Sequence, residues 1–447
     1  MKRSMWMRRI AAATVLALTL AACGGDDEPE DDGTDDTEEP ADDDADDGED
    51  EGDDAEDVDE GEDEEAIERP DRDDVLDLGY ILPETGDLAT LGVPQIESVN
   101  LAIEDINAAG GVLGAEVTLA TGDEAGDGAI ARETAARLIN DGVDGVVGAA
   151  ASGMSQEIIQ TLYDNEIVQC SASNTSPAFS DQDNNGYYFR TVPPDEAVAP
   201  IIANEVVGDG YANVAVLARA DDYGDALRTL VVESLEEQGV DIAVDEGYNP
   251  DTDDFSSLVN DVTSAGADSA VVIGFDESGP LFAQLIEGGM SPSALYGGDG
   301  VFGPGLEGLV GTDITGLKVI GAAGGQDFND RLNGVLDDQN QGNLIYGGQA
   351  YDCAIVIALA AEAAGSADPA VFNGEIENVT SGGEVCTSFA DCKELLEAGE
   401  DIDYDGVSGP LALERPDPTQ GRYAVAQFTE DGFQIVGDQD VDLSELE

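Results

Sequence analysis

The sequence predicts an α/β chain whose folded part has two lobes, each a parallel sheet wrapped by helices. Three observations carry this. From Val75 onward, short apolar runs alternate with stretches of helical periodicity. That alternation runs once as far as Thr191 and starts afresh at Val214. The stretch from Val75 to Glu447, rich in Val, Ile, Leu and Ala, also exceeds one ordinary domain. Repeated strand–helix–strand order implies parallel pairing, because parallel strands need a long crossover between them.

The elements follow in order. Residues 75–82 read as the first strand. In 95–109, Ile96, Val99, Ala102, Ile103 and Ile106 stand at helical spacing, and Gly110-Gly111 stops that helix. Strands at 115–120, 142–147 and 167–170 alternate with helices at 129–139 and 155–163, and 187–191 closes the first series. The second series runs strand 214–218, helix 224–238, strand 242–245, helix 255–265, strand 269–274 and helix 279–287. Residues 350–364 form a further apolar helix, and 406–412 and 423–428 read as extended pieces that finish the sheets.

Charge narrows the function. The chain's 447 residues include 100 Asp or Glu, 16 Lys or Arg and no His, for a formal net charge of -84. Such a charge repels phosphate backbones, so nucleic acid is not an expected partner. Without histidine there is no Ser-His-Asp or Cys-His nucleophilic site and no HExxH zinc site. Lys2, Lys318 and Lys393 are the lysines, and none follows a GxxxxG run, so there is no P-loop. Gly110 to Gly114 is glycine-rich but follows a helix rather than a strand, which fails the dinucleotide fingerprint. No enzyme, cofactor or metal site is expected.

The acids are unevenly placed. Residues 1–25 hold four bases and no acid, whereas 26–74 hold 32 acids against Arg69 and Arg72. That middle stretch is disordered by composition and reads as an extended, self-repelling tether. Ahead of it lies a basic segment and then an apolar run, Ile10 to Leu20, too short to span a bilayer. It ends in Leu20-Ala21-Ala22-Cys23, which resembles a bacterial lipobox. Residues 1–22 are therefore an expected lipoprotein signal peptide. Cys23 is the expected lipid anchor, followed by a tether at 23–74, with the chain held on the outer face of the cytoplasmic membrane.

In open parallel sheets, ligands sit beyond the carboxyl ends of the strands, where helix starts offer free N–H groups. Two small, hydroxyl-rich loops occupy such ends, Gly148 to Ser155 (with Ser152) and Cys170 to Pro177 (with Ser173 and Thr175). Together they suit a carboxylate without an arginine. Each hydroxyl taken singly is as readily a cap or turn residue. In the second series the matching ends offer Tyr223, Phe275 and Asp299, the last flanked by glycines. An acid there suits an ammonium.

These stretches, with Pro83-Glu84-Thr85-Gly86-Asp87-Leu88-Ala89-Thr90-Leu91-Gly92, Ala102 to Gly111, Tyr187-Tyr188-Phe189-Arg190-Thr191, Asp222-Tyr223-Gly224 and Asp254-Phe255, resemble the leucine/isoleucine/valine-type solute-binding proteins of ABC importers over about 75–440. The resemblance implies a type I periplasmic-binding fold, two Rossmann-like lobes joined by a three-crossover hinge. It divides the chain into 75–193 plus 322–420 and 194–321 plus 421–447. It further implies that Ser152 and Thr175 hydroxyls and the Ser173 backbone hold an amino acid's α-carboxylate, that Tyr223 and Asp299 hold its ammonium, and that Phe275 and Leu91 flank it. Where the family often has Glu, Tyr and an aromatic, this chain has Asp299, Phe275 and Leu91. The implied protein is a monomer that delivers a small amino acid, branched-chain by type, to a permease and its ATPase subunits. The same outline also serves ligand-sensing modules and binders of amides, urea or aromatic acids.

With Cys23 lipidated, four cysteines remain. Cys386 and Cys392 bracket five residues and suit a local disulfide. Cys170 and Cys353 read as core thiols, with a long-range bridge between them left open.

Overall fold

A computed structural model describes residues 72–182 and 185–443. The expected signal peptide, Cys23 and the tether's residues before Arg72 lie outside the described residues. Strands β1 (Asp77–Ile81), β2 (Thr118–Ala120), β3 (Gly145–Gly148), β4 (Val168–Ser171) and β5 (Tyr188–Arg190) form a parallel sheet in the order β2-β1-β3-β4-β5. Helices α1 (Ala89–Ala108), α2 (Gly128–Asp141) and α3 (Ser152–Asp164) connect them. After α4 (Asp195–Gly208), strands β6 (Asn213–Arg219), β7 (Asp241–Tyr248), β8 (Ser269–Ile273), β9 (Leu295–Gly297) and β10 (Lys318–Ala322) pair in parallel. Their intervening helices are α5 (Asp222–Glu237), α6 (Ser256–Ala265), α7 (Gly279–Glu287) and α8 (Leu306–Val310).

The chain then returns to the first sheet. Helices α9 (Gln326–Asn333) and α10 (Gly347–Ala364) lead through α11 (Pro369–Phe372) to β11 (Glu384–Cys386), α12 (Phe389–Ala398), β12 (Ile402–Gly406) and β13 (Gly409–Pro410). Finally β14 (Gln420–Thr429) and β15 (Gly432–Asp442) join the second sheet antiparallel, giving the order β15-β14-β10-β9-β8-β6-β7.

Period-2 burial explains the layering. In β3, Val147 belongs to the buried cluster that holds α10, while its neighbour Val146 belongs to the cluster that holds Ala135 and Leu138 of α2 and Ile158 of α3. In β6, Val216 shares a buried cluster with Val198 and Ile202 of α4 and Leu227 of α5, while Leu217 shares another with Leu281 and Phe282 of α7. Both sheets are covered on both faces, which is why their strands read as continuous apolar runs.

Four expectations need correction. Residues 406–412 do not finish either large sheet: β12 and β13 belong with β11 to a separate three-stranded sheet. The second sheet is mixed rather than wholly parallel. Helix α1 starts at Ala89, six residues before the periodic stretch, and contains Pro94. Cys170 and Cys353 are a disulfide tying β4 to α10, alongside Cys386–Cys392. Helix α4 and strand β15 carried no sequence signal: α4 is apolar nearly all round because it is buried, and β15 is an exposed edge rich in acids.

Candidate functional site

Most of the polar side chains at the site arise from a strand's carboxyl end or from the turn after it. Strand β3 ends on Gly148, whose φ of 120° and close approach to Ile81 O (a Cβ would lie 1.9 Å from it) admit only glycine. That turn delivers Ala150, Ala151 and then Ser152 as the first residue of α3. No side chain caps α3, so its start faces the cleft as a partial positive charge. Strand β4 delivers Ser173 and Thr175, β6 delivers Tyr223 on the first turn of α5, β8 delivers Phe275, and β9 delivers Asp299.

The structure gathers Leu91, Ser152, Ser173, Tyr223, Phe275 and Asp299 around one cavity. Its walls, counting the open mouth, enclose about 310 Å³ of space. Thr175 is buried but is not on that wall. The Ser152 hydroxyl is buried without a hydrogen-bond partner, and the buried Thr175 hydroxyl lies beside the Asp195 carboxyl. Ser173 is engaged: its hydroxyl lies 3.0 Å from Ala150 O and 3.2 Å from Gln95 Oε1, and its N–H donates to Ser171 Oγ at 3.3 Å.

Opposite them, Asp299 is 1% exposed. Its Oδ1 accepts from Tyr223 at 2.5 Å and from the Gly300 N–H at 3.0 Å, and its Oδ2 accepts from Tyr346. No Lys or Arg pairs with it among the described residues. Burial pushes its carboxyl up, and the tyrosine hydroxyls pull against that. Tyr223 stacks on Phe275 with centroids 5.2 Å apart and planes at 14°. The Arg219 guanidinium lies 3.8 Å over the Phe275 ring, held by Asp221 and Glu277. The Phe275 ring is thus fixed by stacking.

Beside the cavity, the start of α1 is tied to the residues after β8 and before α10. Thr90 Oγ1 donates to Asp276 Oδ2 at 2.6 Å. Pro94 has no N–H to give the Thr90 carbonyl four residues back, and Asn343 Nδ2 takes that acceptor at 2.5 Å. The proline inside α1 therefore frees a carbonyl at the cleft.

Several residues at the site were not legible in advance. Tyr346 precedes α10 with φ of 60°, and its one signal is the Gly347-Gly348 pair that lets α10 start against Leu332. Asp195 is fully buried and carried no mark beyond Pro193-Pro194. Glu124 is fully buried, and its two oxygens accept from Ala150 N at 2.6 Å and Ala151 N at 3.2 Å, which fixes the turn ahead of Ser152. Burial pushes its carboxyl up to about 8, against the pull of those two N–H groups. A carboxyl raised from 4.5 to about 8 binds its proton more tightly folded than unfolded. Its contribution is complete below about 4.5 and is lost as pH rises through about 8. Glu124→Gln should therefore lose less melting temperature than the parent between those pH values. Parallel melting curves for the two would count against a protonated Glu124.

A family model described as periplasmic binding protein matches residues 76–433. The leucine-, isoleucine-, valine-, threonine- and alanine-binding protein of Pseudomonas aeruginosa is 31% identical over 304 residues, which cover 66% of this chain and 80% of that protein. Among solved structures, leucine-binding LivK of Thermotoga maritima superposes with a TM-score of 0.70 at 20% identity, covering 83% of this chain and all of the other. LivJ of Streptococcus pneumoniae, a branched-chain amino acid binding protein in complex with isoleucine, gives 0.67 at 20% identity, with coverages of 82% and 99%. The chain belongs to the periplasmic binding protein family and has its type I fold.

Proposed function

We propose that the protein captures an amino acid in this cleft and presents it to an ABC permease, with no catalysis of its own. The α-carboxylate lies toward Ser152, Thr175 and the start of α3, and the ammonium lies against Asp299 beside Tyr223. The observation that carries this reading is the pairing of unlike halves across one cavity. On one side stand the unpartnered Ser152 hydroxyl and a helix start; on the other stands a buried acid with only neutral donors. Neither half is satisfied by the other, so a zwitterion that spans them satisfies both. Leu88, Leu91 and Phe275 line the same space and suit an aliphatic side chain. The ligands named for the Pseudomonas relative favour the same class.

The lobes divide near Pro193, Ala322 and Gly421, so that 75–193 plus 322–420 closes on 194–321 plus 421–447. A ligand drives that closure by binding the closed form more tightly than the open one. Cys23 supplies a lipid anchor, and the acidic stretch up to Asp74 spaces the monomer from the membrane. Calorimetric titration of the ligand-stripped protein against leucine, isoleucine, valine, alanine and threonine tests the reading. It expects saturable one-to-one binding of at least one aliphatic member. Silence across the panel, with binding of an amide, urea or an aromatic acid instead, sinks it.

A further inference from the structure

We propose that Gln95 is a further binding residue of the cleft, its side-chain amide donating a hydrogen bond to the anionic end of the guest. This assignment deepens the reading above and rests on it in one respect, that the guest brings a carboxylate into this cavity.

Gln95 stands on α1, one residue after Pro94. It is 0% exposed, yet it lines the cavity together with Ala150, Ala151, Ser152 and Ser173. A carboxamide has two N–H donors and an oxygen with two lone pairs. One Nε2 hydrogen goes to Leu91 O at 3.2 Å, and Oε1 lies 3.2 Å from the Ser173 hydroxyl. Leu91 O can only accept, so the amide end that faces it is the nitrogen. The Ser173 hydroxyl has one proton and a second acceptor in reach, Ala150 O at 3.0 Å. Asn174 Nδ2 already donates to that carbonyl at 2.9 Å, which leaves the Ser173 proton for Gln95 Oε1. The amide is thus held at both ends, and its second Nε2 hydrogen has no acceptor among the described residues. A buried donor left unmet costs free energy, and at a cavity wall an oxygen of the guest can meet it.

Other donors on this wall are few. Glu124 takes the N–H groups of Ala150 and Ala151 at 2.6 and 3.2 Å, and the Ser173 N–H goes to Ser171 Oγ at 3.3 Å. The Ser152 hydroxyl, the uncapped start of α3 and Gln95 remain. A carboxylate offers about four lone-pair sites, more than one hydroxyl can fill. An amide N–H is met by an oxygen and not by an ammonium or a methyl group. Gln95 therefore helps set the orientation of the guest, its carboxylate toward α1 and α3 and its amine toward Asp299.

The test is titration calorimetry of the full chain with three probes. They are leucine, 4-methylpentanoate (leucine without its amine) and 3-methylbutylamine (leucine without its carboxylate). Gln95→Met keeps the length and loses the donor. It should weaken both carboxylates about tenfold, as expected for one hydrogen bond to a charged group, and leave the amine unmoved. Gln95→Glu puts an acceptor where the donor was and should weaken both carboxylates about a hundredfold. Side-chain amide NMR of the parent does not depend on either variant folding. One glutamine Nε2 proton should move downfield with each carboxylate and stay in place with the amine. A leucine Kd unmoved by Gln95→Met, equal losses for all three probes, or tighter leucine binding by Gln95→Glu overturns the proposal; so does an unmoved amide signal. If no amino acid gives heat with the parent, but 4-methylpentanoate does and Gln95→Met weakens it, the amino-acid reading fails and the role of Gln95 stands. If the parent binds no carboxylate, both fail.

Discussion

Asp299→Ala should weaken amino-acid binding by about 2–5 kcal/mol, roughly thirtyfold or more in Kd. The acid is buried, and removing it strips the ammonium of its charge partner inside a low-dielectric site. It also strands the hydroxyls of Tyr223 and Tyr346, which now donate to its two oxygens. Asp299→Asn keeps the shape and some of the acceptor capacity but not the charge, and should fall between parent and alanine variant. Calorimetry with leucine checks both. A Kd that Asp299→Ala leaves unmoved takes Asp299 out of the site.

Arg190→Lys should cost about 1–3 kcal/mol of stability, the range for leaving buried hydrogen-bonding groups unmet while the charge is kept. Arg190 is 0% exposed at the end of β5. Its Nε donates to Asp417 at 2.5 Å, its Nη1 to Asn174 O at 2.8 Å and Ser176 O at 2.9 Å, and its Nη2 to Ser180 Oγ at 2.8 Å. One planar fork therefore holds the loop that carries Ser173 and Thr175 and ties it to the segment leading into β14. An ammonium on a flexible stem cannot meet four acceptors in those directions. Urea unfolding should show a lower midpoint, and ligand affinity should fall with it because the carboxylate side of the cleft loosens. A midpoint within the error of the parent's would show that the loop holds its shape without the fork.

How far the sequence reaches can be judged from particular residues. The central strands of both sheets are buried on both faces, so their apolar runs stand out, and the turn after each of them is located by the same pattern. Ser152, Ser173, Tyr223, Phe275 and Asp299 were legible because a site in this topology must lie in those turns. Tyr346 and Asp195 were not. Each follows a crossing of the chain between sheets, and only the folded arrangement brings residue 346 against residue 299, or residue 195 beneath residue 175. Glu124 was hidden among the acids of an acid-rich chain. Its distinction is burial against two backbone N–H groups, which no local pattern records. The Cys170–Cys353 bridge spans 183 residues, a separation that carries no spacing signal, whereas the six-residue loop of Cys386–Cys392 does. Helix α4 escaped for the opposite reason: Ala197, Val198, Ala199, Ile201, Ile202 and Ala203 are all buried, so no polar face marks its period.

The most direct test of the whole account is a crystal structure of the protein loaded with an aliphatic amino acid. The carboxylate of the guest should lie at Ser152 and Thr175, its nitrogen within hydrogen-bond reach of Asp299, and its side chain against Leu91 and Phe275. A guest whose nitrogen points away from Asp299, or density for it outside the space between the two sheets, would contradict the account.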